Sequence, residues 1–119
     1  MENLDHFTGT TNYHQLYHGI ILTDGALYLA EKGGCFWLMD LYASYLWLLD
    51  GNVEPFTVLR LTKKDDSADV VIDDGNGNTL YTQHIEYTDF PLAEMKLYAS
   101  WTESFWVLML PSEYWTVLV

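Results

Sequence analysis

Apolar and polar residues alternate with a period of two through the second half of the chain. From Pro55 onward, short segments rich in β-branched and aromatic residues are separated by turn-like sequences. The alternation is clearest in EMKLYASW, residues 94–101, where Met, Leu and Ala occupy every second position. Successive side chains of a strand face opposite sides of a sheet, so this period predicts strands. The segments predicted as strands are PFTVLRLTKK, ADVVIDD, NTLYTQHIEYT, EMKLYASW and SFWVLML.

The first half of the chain has a helical pattern instead. A Thr/Asn cluster predicts a short capped helix from about Asn12 to His18. Asp24 is the predicted N-cap of a helix over ALYLAEK, which Gly33-Gly34 ends. A longer helix is predicted from about Cys35 to Leu49. Apolar side chains occupy so much of its circumference that neighbouring elements must cover it on most sides.

Helices followed by a run of strands indicate an α+β fold. We predict N-terminal helices packed on one face of an antiparallel sheet of four to five strands, arranged as a meander. The helical part would cover residues 10–50 and the sheet part residues 55–110, within a single domain, residues 1–119. The tail PSEYWTVLV is predicted to add an edge strand or to pack back on the helices.

The chain is strongly acidic, with 17 Asp and Glu, five Lys and Arg, and a net charge of −12. Nucleic acid and anionic membranes are poor partners, because binding phosphates requires Lys and Arg. A basic protein surface is a good partner. Five clustered carboxylates are the predicted partner-binding surface: Asp65, Asp66, Asp69, Asp73 and Asp74. The alternatives are acidity that serves solubility and a solvated edge that discourages strand pairing.

The sequence DDGNGN, residues 73–78, has the composition of a ligand-binding loop. As a calcium loop beginning at Asp74, it places Thr79 where glycine is needed and Ile85 where the bidentate glutamate is needed. A phosphate loop would need a lysine, and none is present. Glycine and asparagine tolerate positive φ, so a hairpin turn between two strands is the favoured interpretation.

Catalytic and metal signatures are weak elsewhere. His14 and His18 have the i, i+4 spacing of zinc ligands, with Asp5 and His6 as further candidates, but hydrogen-bonded or solvated histidines are favoured. Cys35 lies in an apolar run that favours a buried, inert thiol. We therefore predict no catalytic residues, no cofactor and no metal. The polar N-terminus and the single cysteine indicate a cytoplasmic protein, and the apolar run is too short to span a membrane.

Five motifs in order resemble an uncharacterised family: LDHFTGT (4–10), TDGALYLAEKGGCFWLMDLYAS (23–44), DDGNGN (73–78), YTDFPL (87–92) and LPSEY (110–114). The family is catalogued as a domain of unknown function, and its members are small cytosolic bacterial, plasmid and phage proteins. After Tyr45, LWLLDGNVEP replaces a more polar helix end. The resemblance implies a mobile-element setting and assigns no catalytic residue.

Charge and setting together lead to three hypotheses. The first is a non-enzymatic inhibitor of a basic, nucleic-acid-handling host protein, of the anti-CRISPR type. The second is a small-molecule or nucleotide-signal pocket lined by aromatic side chains, since the chain has five Trp and nine Tyr. The third is a self-associating module, a homodimer through the 35–49 helix if the sheet covers only one side of it.

Overall fold

A seven-stranded mixed sheet organises residues 12–114, the part of the chain that the computed structural model describes. Two helices lie between the second and third strands in the sequence. The elements in chain order are β1 (Tyr13–Tyr17), β2 (Ile20–Thr23), α1 (Asp24–Lys32), α2 (Phe36–Leu46), β3 (Phe56–Lys64), β4 (Ser67–Asp73), β5 (Thr79–Ile85), β6 (Glu94–Trp101) and β7 (Trp106–Met109).

The strand order across the sheet is β1-β2-β7-β6-β3-β4-β5. Strands β2 and β7 are parallel, with Ile20 opposite Trp106. The remaining five pairs of neighbouring strands are antiparallel. The predicted fold class is therefore wrong. The sheet has seven strands rather than four to five, and it is mixed rather than an antiparallel meander. Two of its strands come from the region predicted to be helical.

One part of the error is that β6 pairs with β3 and not with β5, so the strands from Pro55 onward do not form a meander. The other part lies in the first 25 residues. The predicted helix from Asn12 to His18 is strand β1, whose side chains alternate between exposed and half-buried. A turn with Gly19 at φ 81° returns the chain into β2, the short apolar run IILT. A strand of four residues is too short to show a periodic hydrophobic pattern. The parallel partner of β2 lies at the other end of the sequence. Local patterning therefore contains no signal for this pairing.

The five strands predicted from Pro55 onward are all present. β3, β4 and β6 match their predicted segments within about a residue or two, while β5 ends earlier, at Ile85, and β7 begins later, at Trp106. In β6 the predicted alternation is confirmed, because Met95, Leu97 and Ala99 are buried. In the tail, residues 111–113 form a 3₁₀ turn, and the remainder, 115–119, lies outside the described residues.

Both helices pack on one face of the sheet. The N-cap of α1 is Thr23 rather than the predicted Asp24, because the Thr23 hydroxyl accepts the Ala26 amide at 3.2 Å. Helix α2 ends at Leu46, earlier than predicted. Its buried Tyr42 hydroxyl pairs with the Thr57 hydroxyl of β3 at 2.7 Å, so each of these two buried hydroxyls has a partner.

The outermost described strands both reach α2. The Tyr17 hydroxyl of β1 donates to the Asp40 carboxylate at 2.7 Å, and the Tyr45 hydroxyl donates to Gln83 of β5 at 2.8 Å. The Tyr45 ring also stacks on Tyr81, with centroids 4.6 Å apart. Seven flat strands would span roughly 29 Å, whereas a helix with its side chains is about 10–12 Å wide. The sheet therefore curves around α2.

A buried carboxylate joins the end of β7 to the start of α1. Glu113 is fully buried, and its side chain accepts the Thr23 hydroxyl at 2.6 Å, the Leu110 amide at 2.9 Å and the Gly25 amide at 3.1 Å. A Cβ on Gly25 would lie 2.5 Å from the Glu113 carboxylate, so only glycine permits this approach. Burial raises the pKa of Glu113 above its usual value, and the three donors oppose that rise.

Replacement of Glu113 by alanine is expected to destabilise the fold by about 3 kcal/mol, because two amides and a hydroxyl would lose their acceptor in a buried site. Urea denaturation followed by circular dichroism measures this change in the free energy of unfolding. The matched control is Glu31→Ala, which truncates an exposed glutamate of α1. Equal, small effects of the two substitutions would contradict the structural role given to Glu113.

The pH dependence of stability tests the raised pKa of Glu113. Between the unfolded pKa, about 4.3, and the higher folded pKa, the native state holds a proton that the unfolded chain has lost. The contribution of Glu113 to the free energy of unfolding is therefore full below the unfolded pKa, and it declines as the pH rises through the folded pKa. Glu113→Gln does not titrate. The stability of the original chain relative to this variant is expected to fall from pH 4 to pH 7, and a rise would show that the pKa is lowered instead.

Candidate functional site

The DDGNGN loop is a hairpin turn between β4 and β5, as predicted. The Asp74 carboxylate accepts the backbone amides of Asn76 at 2.8 Å and Asn78 at 3.1 Å, and the side-chain amide of Asn78 at 2.8 Å. Gly75 and Gly77 have φ of 81° and 92°, which glycine adopts without strain. The hydrogen bonds, the Asn78 side-chain amide first, lower the pKa of Asp74, so the carboxylate remains charged.

Three aromatic rings support this loop from the sheet. A Cβ on Gly75 would lie 3.1 Å from the Phe56 ring, so the loop backbone rests on that ring. Phe56 makes edge contacts with Tyr98 and with Tyr114, each at a centroid distance of 5.2 Å. Tyr98 and Tyr114 complete the triangle at 5.6 Å. The rings lie on the face of the sheet opposite the helices, because the next side chain along β3, Thr57, faces α2.

A cavity of about 420 Å³ opens between the loop and these rings. We call it the Asp74 cavity. It carries two carboxylates, Glu54 and Asp74, and two aromatic rings, Phe56 and Tyr114. Negative charge beside aromatic faces is the environment in which an organic cation is bound. The other lining residues are Val53, Pro55, Gly75 and Asn76.

Four of the five aspartates of the predicted partner-binding surface are divided between the two ends of β4, and Asp69 lies within the strand. Asp65 and Asp66 form the turn from β3, and both are exposed. Asp73 and Asp74 stand at the other end, beside the Asp74 cavity. The strand between the ends has seven residues, which separates them by roughly 20 Å. The fold therefore presents two acidic sites rather than one continuous cluster.

One of these aspartates is ion-paired, and another is hydrogen-bonded to a histidine. Asp73 is only 6% exposed; it accepts the Arg60 guanidinium at 2.8 Å and the Gly75 amide at 2.7 Å. Its charge is largely offset within the fold. Asp69 pairs with His84 at 2.7 Å, but both side chains are exposed, so this pair adds little stability. Asp65, Asp66, Asp69 and Asp74 retain most of the charge that a basic partner would meet.

The exposed positions along α2 and just after it are apolar at the two ends and polar between them, at Asp40 and Ser44. Trp47, which follows the helix, is 56% exposed and Leu48 is 70% exposed, and Phe36 at the other end is 42% exposed. The Trp47 ring contacts Tyr17 of β1 at 5.4 Å. We predicted that neighbouring elements cover this helix on most sides. The sheet covers one side, where Leu38, Met39 and Leu46 are buried.

The predicted helical zinc-ligand spacing of His14 and His18 is absent from the structure. His14 lies on β1 and bonds to Asp24 at 2.8 Å, while His18 lies in the following turn, so they do not share a helix face. Asp5 and His6 lie outside the described residues. Within residues 12–114, no group of three metal-binding side chains converges. Cys35 is buried, as predicted, and burial raises its pKa to about 11.

A family model matches residues 1–114, and it describes a family of unknown function, DUF6876. The chain belongs to this family. The resemblance drawn from the five sequence motifs is thereby confirmed. No curated protein matches the chain, and no solved structure matches it. Among the helices of residues 12–114, none is long and apolar enough to cross a membrane. Membership of DUF6876 supplies no activity, so the site must be interpreted from its own chemistry.

Sequence patterning identified one side of the Asp74 cavity and missed the other. Asp74 and the turn were recognised from composition. Glu54, Phe56 and Tyr114 carried no local signal, because β3 and the end of β7 meet only through the sheet. Tyr114 does stand in LPSEY, one of the family motifs.

The lowered pKa of Asp74 can be measured directly by NMR titration of its side-chain carboxyl carbon. We expect a value below about 3.9, the usual value for aspartate. Asn78→Ala removes the first cause of the shift and is expected to move the pKa back toward that value. Asn52→Ala, in the 50–53 turn, is the matched control and should leave it unchanged. An unaltered pKa in the Asn78 variant would contradict the hydrogen-bonded geometry of the loop.

Proposed function

We propose that this member of DUF6876 is a non-enzymatic protein that binds the basic surface of another protein. The Asp74 cavity is the observation that carries the proposal. It offers Glu54 and Asp74 as charges and the Phe56 and Tyr114 rings as flat faces, which together suit an arginine or lysine side chain. The volume of about 420 Å³ is ample for one such side chain.

The charge of the whole chain supports the same function. A net charge of −12 produces a long-range field that accelerates encounter with a basic surface. Asp65 and Asp66, at the far end of β4, provide a second acidic site. Val53, which lines the cavity and is 71% exposed, supplies apolar contact area, which a field alone does not provide.

The partner that fits best is a nucleic-acid-handling protein, because such proteins present basic grooves. The finer proposal is a phage- or plasmid-encoded inhibitor of the anti-CRISPR type that acts in the cytoplasm by occupying such a groove. It rests on the acidic surface and on the setting that the sequence motifs imply. Direct binding of nucleic acid or of an anionic membrane is disfavoured by the same charge.

Self-association through α2 is the second candidate, and the exposed apolar residues Phe36, Trp47 and Leu48 favour it. The two candidates respond oppositely to salt. Two copies of charge −12 repel each other, so salt would strengthen a homodimer, whereas it would weaken binding to a basic partner. Light scattering at low and high salt separates them, with a mass of 13.8 kDa at both contradicting the homodimer.

Cation binding can be tested with a defined peptide. The probe is Gly-Gly-Arg-Arg-Gly-Gly with blocked ends, and its control replaces both arginines by citrulline, which is uncharged. We expect the arginine peptide alone to shift the NMR signals of residues 54, 56 and 74–76. The double variant Glu54→Gln/Asp74→Asn is expected to weaken binding about tenfold, because both charges of the cavity are lost.

The matched control is Asp65→Asn/Asp66→Asn, which changes the net charge by the same two units at the other end of β4. A smaller effect of this variant supports the Asp74 cavity. An equal or larger effect would show that the cavity is not the binding site. The inhibitor proposal has its own test: the chain should displace nucleic acid from a panel of defence effectors, and failure across the panel would overturn it.

A further inference from the structure

A second cavity, of about 500 Å³, lies beside β6 where β7 ends. We call it the β6-edge cavity. It shares no lining residue with the Asp74 cavity, and its lining has two cationic side chains and one acidic side chain. The lining residues are Arg60, Leu61, Thr62, Leu92, Glu94, Met95, Lys96, Leu110, Pro111 and Ser112. None of them is aromatic, so this is not the aromatic pocket that the composition indicated.

The cavity exists because β7 stops before β6 does. Met109, the last residue of β7, lies opposite Tyr98. Continuing that antiparallel register would place Pro111 opposite Lys96. Proline has no amide hydrogen to donate to the ladder, and the chain turns away there into the 3₁₀ turn that carries Glu113. The first half of β6 is therefore left without a described strand on this side.

The direction of the backbone groups follows from the ladder on the other side. The Lys63 amide donates to the Ala93 carbonyl at 2.7 Å, so residue 93 and every second residue after it bond to β3. Glu94 and Lys96 alternate with these and direct their amides and carbonyls away from β3, toward the β6-edge cavity. The cavity thus has backbone donors and acceptors on its wall.

Two cations stand side by side at this wall. Arg60 and Lys96 are directly opposite in the β3–β6 register, a placement that brings their Cβ atoms to about 5 Å and is unfavourable for like charges. Asp73 balances Arg60 through its Nε. In the described part of the chain no carboxylate lies within ion-pairing distance of Lys96. Two of the five basic residues of a very acidic chain thus line one cavity, and one of them is unneutralised.

We propose that the β6-edge cavity binds an organic monocarboxylate with an apolar body. The Lys96 ammonium and the outward-facing Lys96 amide would hold the carboxylate, with the Arg60 Nη groups as further donors. Leu92 and Pro111, which are partly exposed, would contact the apolar body. The volume is in the range of small-molecule sites. Glu94 lines the same cavity, and with the net charge of −12 it disfavours a dianionic phosphate.

The test uses the full chain and octanoate as the probe, with binding followed by NMR and isothermal titration calorimetry. Three analogues separate the parts of the ligand: octanol has the apolar body without charge, acetate has the carboxylate without the body, and octyl phosphate carries a dianionic head. We expect octanoate to shift the amide signals of residues 94–96, 110 and 112, and to bind at least tenfold more tightly than each analogue.

Lys96→Met is expected to weaken octanoate binding about tenfold, and the exposed side chain of Lys96 makes the substitution compatible with the fold. The matched control is Lys32→Met, an exposed lysine of α1, which should bind octanoate unchanged. Octanol binding as tightly as octanoate, octyl phosphate binding more tightly, or equal affinities of the two variants would each overturn the proposal. No signal shift at residues 94–96 would overturn it as well.

Discussion

The buried carboxylate of Glu113 fixes more of this structure than any other single group. It accepts donors from Thr23 and Gly25, where β2 passes into α1, and from Leu110, where β7 has just ended. Thr23 is the last residue of β2 and Leu110 follows β7, so the carboxylate links the ends of the two parallel strands, which no hairpin connects. A carboxylate at the first turn of a helix is favoured by the helix dipole, and three hydrogen bonds offset part of the cost of burying it. Glycine at position 25 is what lets the carboxylate approach the helix so closely.

Both candidate sites depend on the path that the chain takes after β7 to place Glu113 in its buried position. To bring Glu113 under α1, the backbone leaves β7 after Met109 and turns at Pro111. That departure exposes the edge of β6 beside Lys96 and opens one cavity. One residue beyond Glu113, the ring of Tyr114 lies against Phe56 and Tyr98, and it walls the other cavity. The cation-lined and the acid-lined cavities are thus two consequences of one turn, and both lie by the sheet rather than under the helices.

The sequence was informative wherever a structure is specified by neighbouring residues. The alternation in β6 and the glycines of DDGNGN identify a strand and a turn from a few positions each. It was uninformative where distant segments meet. Strand β2 is four apolar residues whose parallel partner is β7, and Glu113 is an ordinary acidic residue until the fold buries it. The acidic residues were mispredicted for the opposite reason, because residues close in the sequence are far apart in the fold, at the two ends of β4. In addition, the Asp73 side chain is buried against Arg60.

The geometry of Asp74 also explains why a loop with the composition of a metal site fits another kind of ligand. Three hydrogen bonds already occupy its two oxygens, and they come from the loop itself. A calcium ion needs six to eight oxygen ligands at short distances, so it would have to displace the donors that hold the turn together. An arginine or lysine side chain makes a different demand, because it responds to the net charge and to the nearby ring faces. The same hydrogen bonds lower the pKa of Asp74 and keep its carboxylate ionised. They therefore disfavour calcium coordination and at the same time preserve the negative charge that an organic cation would bind.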